Sequence, residues 1–343
     1  MYKEYLVTGA TGFLGRAVTN ELTKRGAAVR ALVLPGDPLK DSLPDTVKVF
    51  CGDVCDRASL EAFFENTDRD TCLIHCAGII SVASAPGQKL YDVNVGGTEN
   101  MLFLAERQGI GRMVYVSSVH ALPELPKGVC MTETDRFSPS LVQGDYAKSK
   151  AMATAKVLQA AGDGLNVSVI LPSGIIGPGD ECGGSITYML RSFLRGRLPL
   201  AVRGGYDFVD VRDVARGIAD CCDKGERGRC YILSGHYTTV KELLRTAGKV
   251  LNVRRLVSYL PIGLAKRIAP LYEKYSLRRK KPLIFTPYSI AVLDSNGEFS
   301  HAAARDAFGY VPRSLSDTLR DTLTWLKEIG TPKKKKCRAR ITA

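Results

Sequence analysis

Long hydrophobic runs are missing from this chain of 343 residues. No stretch approaches the roughly 20 consecutive apolar residues that a membrane-spanning helix requires. Room for a secretory leader is missing too, because Tyr5-Leu6-Val7-Thr8-Gly9 already reads as a buried strand entering a turn. Both absences predict a cytoplasmic protein. No compact His/Cys cluster of ligand spacing accompanies the pairs Cys51/Cys55 and Cys72/Cys76, so no metal site is expected. The ten cysteines are scattered through strand-like and helix-like segments. That placement predicts buried, inert thiols rather than the disulfide framework of a small secreted domain.

Charge is present in excess and unevenly placed. The net formal charge is +13, and six basic residues (Lys333, Lys334, Lys335, Lys336, Arg338, Arg340) crowd the last eleven positions. A second basic run is Arg278-Arg279-Lys280-Lys281. No aromatic side chains interleave with the terminal charges as base stacking would require, so nucleic acid is not an expected partner. Residues 331–343 read as a basic, disordered tail that aids solubility. The two basic segments also allow weak peripheral contact with a membrane surface.

Apolar runs and amphipathic stretches alternate through the first two-thirds of the chain, the pattern of βαβ units around a parallel sheet. Strands are expected at Glu4–Thr8, Ala28–Leu34, Val47–Cys51, Thr71–Cys76, Arg112–Ser117 and Val167–Leu171, with helices such as Gly12–Arg25 and Val93–Gln108 between them. The strands are continuously apolar, as in an α/β doubly wound parallel-sheet Rossmann fold with helices on both faces. After Pro172 glycines crowd into a loop. A helix is expected at Ile186–Arg197, strands at Phe208–Val211 and Tyr231–Ser234, and an Asp213 cap on the helix that follows. From Val240 onward the reading is mostly helical, ending in Leu315–Ile329 with Trp325 on its apolar side. The expected division is a dinucleotide-binding domain over residues 1–171, re-entered around 207–235. A smaller, mostly helical C-terminal substrate lobe takes residues 172–206 and 236–330.

Thr8-Gly9-Ala10-Thr11-Gly12-Phe13-Leu14-Gly15 lies between the first strand and the first helix. Gly9 permits a tight turn, Gly12 a close backbone approach to a pyrophosphate, and Gly15 tight helix–strand packing. The free N–H groups at the helix start favour an anion there, with Thr11, Phe13 and Leu14 in the cradle. The second strand ends Ala31-Leu32-Val33-Leu34 with neither an acidic residue nor an arginine. NAD and NADP both stay open: Asp37 in the following turn is placed for a ribose and tilts the reading toward NAD, whereas Arg30 and Lys40 would serve a 2′-phosphate. Asp53 after the third strand is placed for the adenine amino group, with Val54 beside it; alternatively Asp53 caps a helix around Ala58–Glu65. Ala77-Gly78 closes the fourth strand without bulk, leaving space for a cofactor.

Tyr146-Ala147-Lys148-Ser149-Lys150 sets a phenol and an ammonium four residues apart on one helix face. Interconverting a ketone and an alcohol requires a proton at oxygen as hydride moves at carbon. A nearby ammonium pulls a phenol's pKa down toward that use. Val114-Tyr115-Val116-Ser117-Ser118 ends a strand in hydroxyls, where ligands bind in such sheets; Ser118 is the first choice to polarise the substrate oxygen and Ser117 the second.

Together the glycine cradle, Asp53-Val54, His75-Cys76-Ala77-Gly78, Asn94-Val95-Gly96-Gly97-Thr98, the serine pair and Tyr146…Lys150 resemble the extended short-chain dehydrogenase/reductases. Within them the chain is most similar to the dihydroflavonol-reductase and 3β-hydroxysteroid-dehydrogenase branch. The resemblance spans about residues 4–330 and takes in Leu171-Pro172-Ser173-Gly174-Ile175-Ile176-Gly177-Pro178-Gly179-Asp180 and Asp207-Phe208-Val209-Asp210-Val211-Arg212-Asp213-Val214. It implies that Ser118, Tyr146 and Lys150 are the catalytic triad. It also implies that Asn94 and the backbone near Pro172 and Ile175 help hold the nicotinamide. Leu34 stands where NADP users in the family often carry arginine. His120 stands where dehydratase-type relatives carry acidic residues, which argues against sugar dehydration.

The implied activity is NAD(P)-dependent hydride exchange with a secondary alcohol or ketone of a small, apolar or polycyclic substrate. The alternatives are a nucleotide-sugar epimerase with tightly held NAD and a non-catalytic dinucleotide sensor. A homodimer is compatible with the sequence. His75 is expected to be packed and hydrogen-bonded, His120 to stand near the substrate, and Asp210 and Asp213 to be structural. Tyr259–Leu271, apolar with a basic flank, reads as a lid or core helix, with a membrane contact as the second reading.

Overall fold

A computed structural model describes residues 2–279 and 281–330; the basic tail expected at 331–343 lies outside the described residues. In chain order the strands are β1 (Glu4–Thr8), β2 (Ala28–Val33), β3 (Lys48–Cys51), β4 (Thr71–His75), β5 (Arg112–Val116), β6 (Val167–Pro172), β7 (Gly174–Ile176), β8 (Leu200–Val202), β9 (Gly205–Asp210), β10 (Cys230–Leu233), β11 (His236–Thr239) and β12 (Ser258–Leu260). Every residue of β4, β5 and β6 is buried, because helices cover both faces of these continuous apolar runs. Seven strands form one parallel sheet in the order β10-β6-β5-β4-β1-β2-β3. The winding reverses between β1 and β4, and the crevice beyond their carboxyl ends is the topological switch point of a doubly wound fold.

Alternation of side chains along each strand divides the core between the two faces. Leu6, Leu73 and Met113 belong to one buried cluster with Phe63 and Met101. Val7, Ile74 and Val114 belong to the other with Val18 and Ile218. On that second face the helices Phe13–Lys24 and Val211–Lys224 pack side by side. After β6 the chain builds a three-stranded sheet, β11-β9-β7, and a β12-β8 pair. The helices Val240–Leu251, Ile262–Arg278, Pro287–Asp294, Ala302–Phe308 and Leu315–Glu328 complete this region, with Trp325 partly buried against the core.

Several local expectations are corrected. Leu34, Cys76 and Ser117 fall just beyond their strands. The helix expected at Val93–Gln108 is a short helix at Lys89–Tyr91, a π-helical turn at Asp92–Gly96 and an α-helix at Gly97–Arg107. The cap of Val211–Lys224 is Asp210, whose carboxylate accepts from Arg212 N at 2.8 Å, and not Asp213. Asp53 caps no helix; Asp56 does so, accepting from Ala58 N. Cys51, Cys55 and Cys130 are exposed rather than buried. For Cys51 the reason is the edge position of β3, which has a neighbour on one side alone.

Asp213 is instead a buried tie between the helix Val211–Lys224 and the segment at Arg313. Its side chain is inaccessible and accepts from Arg313 N at 2.8 Å, Arg313 Nη2 at 2.9 Å and Arg216 Nη2 at 2.9 Å. Without the Arg313 guanidinium this buried carboxylate keeps Arg216 and the backbone N–H but loses its charge-assisted hydrogen bonds to that side chain. Arg313→Ala should therefore destabilise the protein by about 2–4 kcal/mol, read as a lower urea midpoint with an unchanged slope; an unchanged midpoint would refute the tie.

Candidate active site

At the switch point the chain leaves β1 through Gly9, which adopts φ +64°, a backbone conformation that favours glycine. A Cβ there would stand 2.8 Å from Ala77 Cα, so the loops after β1 and β4 touch backbone to backbone. Gly15 is in closer contact still: a Cβ would lie 2.1 Å from Gly9 O. Helix Phe13–Lys24 is thereby pressed against the strand that feeds it. Gly12 is its N-cap, no side chain caps it, and no acidic residue occupies its first turn. N–H groups at such an end are available to a phosphate. These features fit a dinucleotide, with Gly9, Thr11, Gly12, Phe13, Leu14 and Gly15 as its cradle.

Thr11 Oγ1 donates to Asp37 Oδ2 at 2.7 Å, which brings the carboxylate after β2 to the rim of the cradle. Arg30 is engaged elsewhere: it pairs with Glu4 at 2.6 Å and donates to Glu65 O at 2.6 Å. Lys40 is exposed on the short helix beyond Asp37. Asp53 accepts from Cys55 N at 2.9 Å, and Val54 is packed so closely that a Cβ on Gly97 would stand 2.7 Å from its Cγ2. Past β4, a Cβ on Gly78 would lie 3.2 Å from Asn94 Oδ1 and 3.4 Å from Lys150 Nζ, so the absent side chain leaves space in front of both. Asn94 pins the same loop, accepting from Ile79 N at 2.7 Å and donating to Ile79 O and to Ser149 Oγ at 3.0 Å. Pro172 ends β6, and Ile175 pairs with Val209 in the smaller sheet.

Helix Asp145–Gly162 carries Tyr146 and Lys150, both nearly buried at 7% and 5% exposure. Ser118, just beyond β5, accepts through its hydroxyl from His120 N at 3.2 Å, and the His120 ring in turn stands 5.9 Å from that of Tyr146. Ser117 points elsewhere, its hydroxyl 2.6 Å from Thr154 Oγ1. Ser118 and Lys150 thus stand at the carboxyl end of β5, Tyr146 lies beside His120 next to them, and Ser117 is turned away. Lys150 Nζ donates to Val116 O at 2.9 Å and lies 5.1 Å from the centre of the Tyr115 ring. Burial lowers the Lys150 pKa to about 8.

The Tyr146 phenol departs from the sequence expectation: burial raises it to about 12, and the Ser118 hydroxyl offsets this in part. The Lys150 ammonium, turned to the Val116 carbonyl, does not lower it. His75 is packed and satisfied, with Nδ1 2.7 Å from Thr8 Oγ1 and Nε2 3.2 Å from Thr98 Oγ1, and burial lowers it to about 3.

Three aromatic side chains gather round Tyr146. His120 stacks on Tyr206 at 5.5 Å, with Nε2 3.1 Å from the Tyr206 hydroxyl, and meets Tyr146 edge-on at 5.9 Å. Tyr288 stands 5.9 Å from His120, and its hydroxyl is buried with no hydrogen-bond partner among the described residues. Burial lowers His120 to about 4, so this wall is uncharged at neutral pH. Tyr206 and Tyr288 escaped the sequence reading because no spacing links them to Tyr146. One signal was available in the glycine at 144, beside Tyr146: the structure puts the Tyr288 ring where a side chain there would stand. Arg16 was missed as well; it pairs with Glu181 at 2.8 Å and so ties the first helix to the glycine-rich loop after β7.

The sequence pattern of the NAD dependent epimerase/dehydratase family matches residues 5–233. Sterol demethylase protein B of Methylococcus capsulatus is 32% identical over 328 residues, covering 95% of this chain and 98% of that protein. A putative dihydroflavonol 4-reductase of Synechocystis is 28% identical, with 95% of each chain covered. Among solved structures, gox2253 superposes with a TM-score of 0.83 at 29% identity, over 96% of this chain and 99% of that one. Cradle, switch point and matched relatives converge on one assignment: the chain belongs to the NAD dependent epimerase/dehydratase family of extended short-chain dehydrogenase/reductases and is an NAD(P)-dependent enzyme.

Proposed function

We propose that this enzyme is an oxidoreductase that exchanges hydride between a nicotinamide and a secondary alcohol or ketone on a small, apolar or polycyclic substrate, with Tyr146 as the acid/base, Ser118 as the polarising hydroxyl and Lys150 as the orienting cation. The observation that supports it is that Ser118, Tyr146 and Lys150 are all buried close to the carboxyl end of β5, with Lys150 Nζ facing the space at Gly78. When bound, the nicotinamide supplies or accepts the hydride. Ser118 donates a hydrogen bond to the substrate oxygen and holds it beside the phenol. Tyr146, kept neutral by burial, is placed as an acid: its proton goes to the oxygen as the carbonyl is reduced, and the phenolate left behind regains one from solvent. Lys150, held by the Val116 carbonyl, would stabilise that phenolate and hold the cofactor's ribose.

Neutral aromatic walls support an apolar substrate. His120 and Tyr206 satisfy one another, so Tyr288 supplies the uncommitted polar atom on this wall. A relative named for sterol demethylation agrees with a ring-system substrate. This reading takes residues 172–206 and 236–330 as the substrate lobe and 1–171 with 207–235 as the cofactor domain. It also takes Asp53 and Val54 toward the adenine, Ala77, Gly78 and Asn94 along the nucleotide, and the backbone near Pro172 and Ile175 toward the nicotinamide. Asp37 at the cradle rim supports NAD, since a carboxylate there accepts from ribose hydroxyls and repels a 2′-phosphate.

Tyr146→Phe should bind the nicotinamide as the wild type does and lose about 100- to 10,000-fold in kcat on a panel of steroid and flavonoid-like ketones; full retained turnover refutes the assignment. On the same panel, net consumption of added cofactor separates a reductase from an epimerase. Because burial places Lys150 at about 8, its ammonium loses the proton as pH rises through that value. For carbonyl reduction kcat/KM should be level below about pH 8 and fall above it, and Lys150→Met should remove that limb at a low plateau; a profile that keeps the limb in the variant assigns it to another group. Asp37→Asn should shift kcat/KM toward NADP relative to NAD by about tenfold or more, and an unchanged ratio would end the proposed role of Asp37.

A further inference from the structure

Helix Ile262–Arg278 has its residues the wrong way round for a helix covered by water. Its inward face is small or polar: Ala265, Ala269, Glu273 and Ser276 are buried. Its outward face is large and apolar: Leu264, Ile268, Leu271 and Tyr275 are exposed by 47%, 39%, 72% and 45%. Spacings of four, three and four residues align these four side chains in one stripe. A surface helix ordinarily buries such residues and exposes small or polar ones, so the stripe calls for a covering.

Charge identifies the covering. Arg267, Lys274 and Arg278 follow one edge of the stripe by helical spacing, Arg279 follows the other, and all are exposed. Glu273 is the single carboxylate between residues 261 and 281, and it is buried. A second copy of the chain would set these cations against their like. An apolar stripe edged by cations matches the acyl boundary and the anionic headgroups of a lipid surface. No described helix is long and apolar enough to cross a membrane, so the contact is one that lies on the surface.

We infer that helix Ile262–Arg278 docks the enzyme on an anionic lipid bilayer. The contact stands apart from the reaction proposed above, though the two are connected in the structure. Glu273 accepts from Ser84 N and from Ser84 Oγ, each at 2.7 Å, and Thr286 Oγ1 donates to Val82 O at 2.6 Å. The loop that follows β4 past Gly78 is therefore fastened to the docking helix and to the segment after it.

The test is cosedimentation of the full chain with vesicles of phosphatidylglycerol and phosphatidylcholine, set against phosphatidylcholine alone. Binding should appear with the anionic vesicles, weaken as salt is added, and fall by about tenfold or more in Leu271→Glu and, separately, in Arg278→Glu with Arg279→Glu. Nicotinamide binding should be unchanged in both variants, which shows that they are folded and keeps this result independent of the catalytic assignment. Background sedimentation of the wild type, or equal binding by wild type and both variants, overturns the inference.

Discussion

The contact between Gly15 and the carbonyl of Gly9 is the constraint from which the site follows. With room for nothing larger than hydrogen, it holds the start of the first helix directly over the end of β1. The second close approach, Gly9 against Ala77, sets the distance between the loops after β1 and β4. Between them these contacts determine how wide the switch-point crevice is and where the uncapped helix end points. His75 braces the same place from below, bridging Thr8 on β1 and Thr98 on the helix Gly97–Arg107. A neutral imidazole does this well, since it offers one donor and one acceptor and carries no charge into the sheet.

Burial, more than pairing, governs the electrostatics above the crevice. It keeps Tyr146 protonated, lowers Lys150 toward neutrality and leaves His120 uncharged. Asp210 and Asp213 are absorbed by Arg212, Arg216 and Arg313, while Asp207, beside Tyr206, is held by Ser173 and Gly235 N and is raised by burial to about 6. The groups in contact with the phenol's ring side are rings and their hydroxyls, His120 with Tyr206 and Tyr288 behind it. Such a surface pays little desolvation when an apolar ligand covers it, while an ionic one would lose its water.

Much of this was legible in the residues. The seven-stranded sheet could be read because β1, β2 and β4 to β6 are continuous apolar runs separated by amphipathic stretches, a pattern with one common solution. The cradle could be read because its glycines occur at fixed offsets between a strand and a helix. Tyr146 and Lys150 were visible through helical spacing. Cap assignments failed by one turn of chemistry: at the start of Val211–Lys224 two aspartates stand three residues apart, and the backbone chose Asp210 while Asp213 went to a distant arginine. The raised phenol could not be anticipated either, since it depends on walls supplied by Tyr206 and Tyr288, far along the chain from Tyr146. The outward stripe of Ile262–Arg278 was present in the composition, but periodicity alone does not say which face of a helix turns inward.

The π-helical turn at Asp92–Gly96 has a consequence of its own. In a regular α-helix the direction of one side chain dictates that of the next turn, at 100° per residue. A wider turn inserts slack and lets the two ends of the segment be aimed independently. One end presents Asn94 to the loop at Ile79 and to Ser149, while the other presses Gly97 onto Val54. A single regular rod would have to compromise one aim for the other. Here the local loosening works as a swivel fixed at assembly, reconciling two orientations that sequence spacing would otherwise bring into conflict.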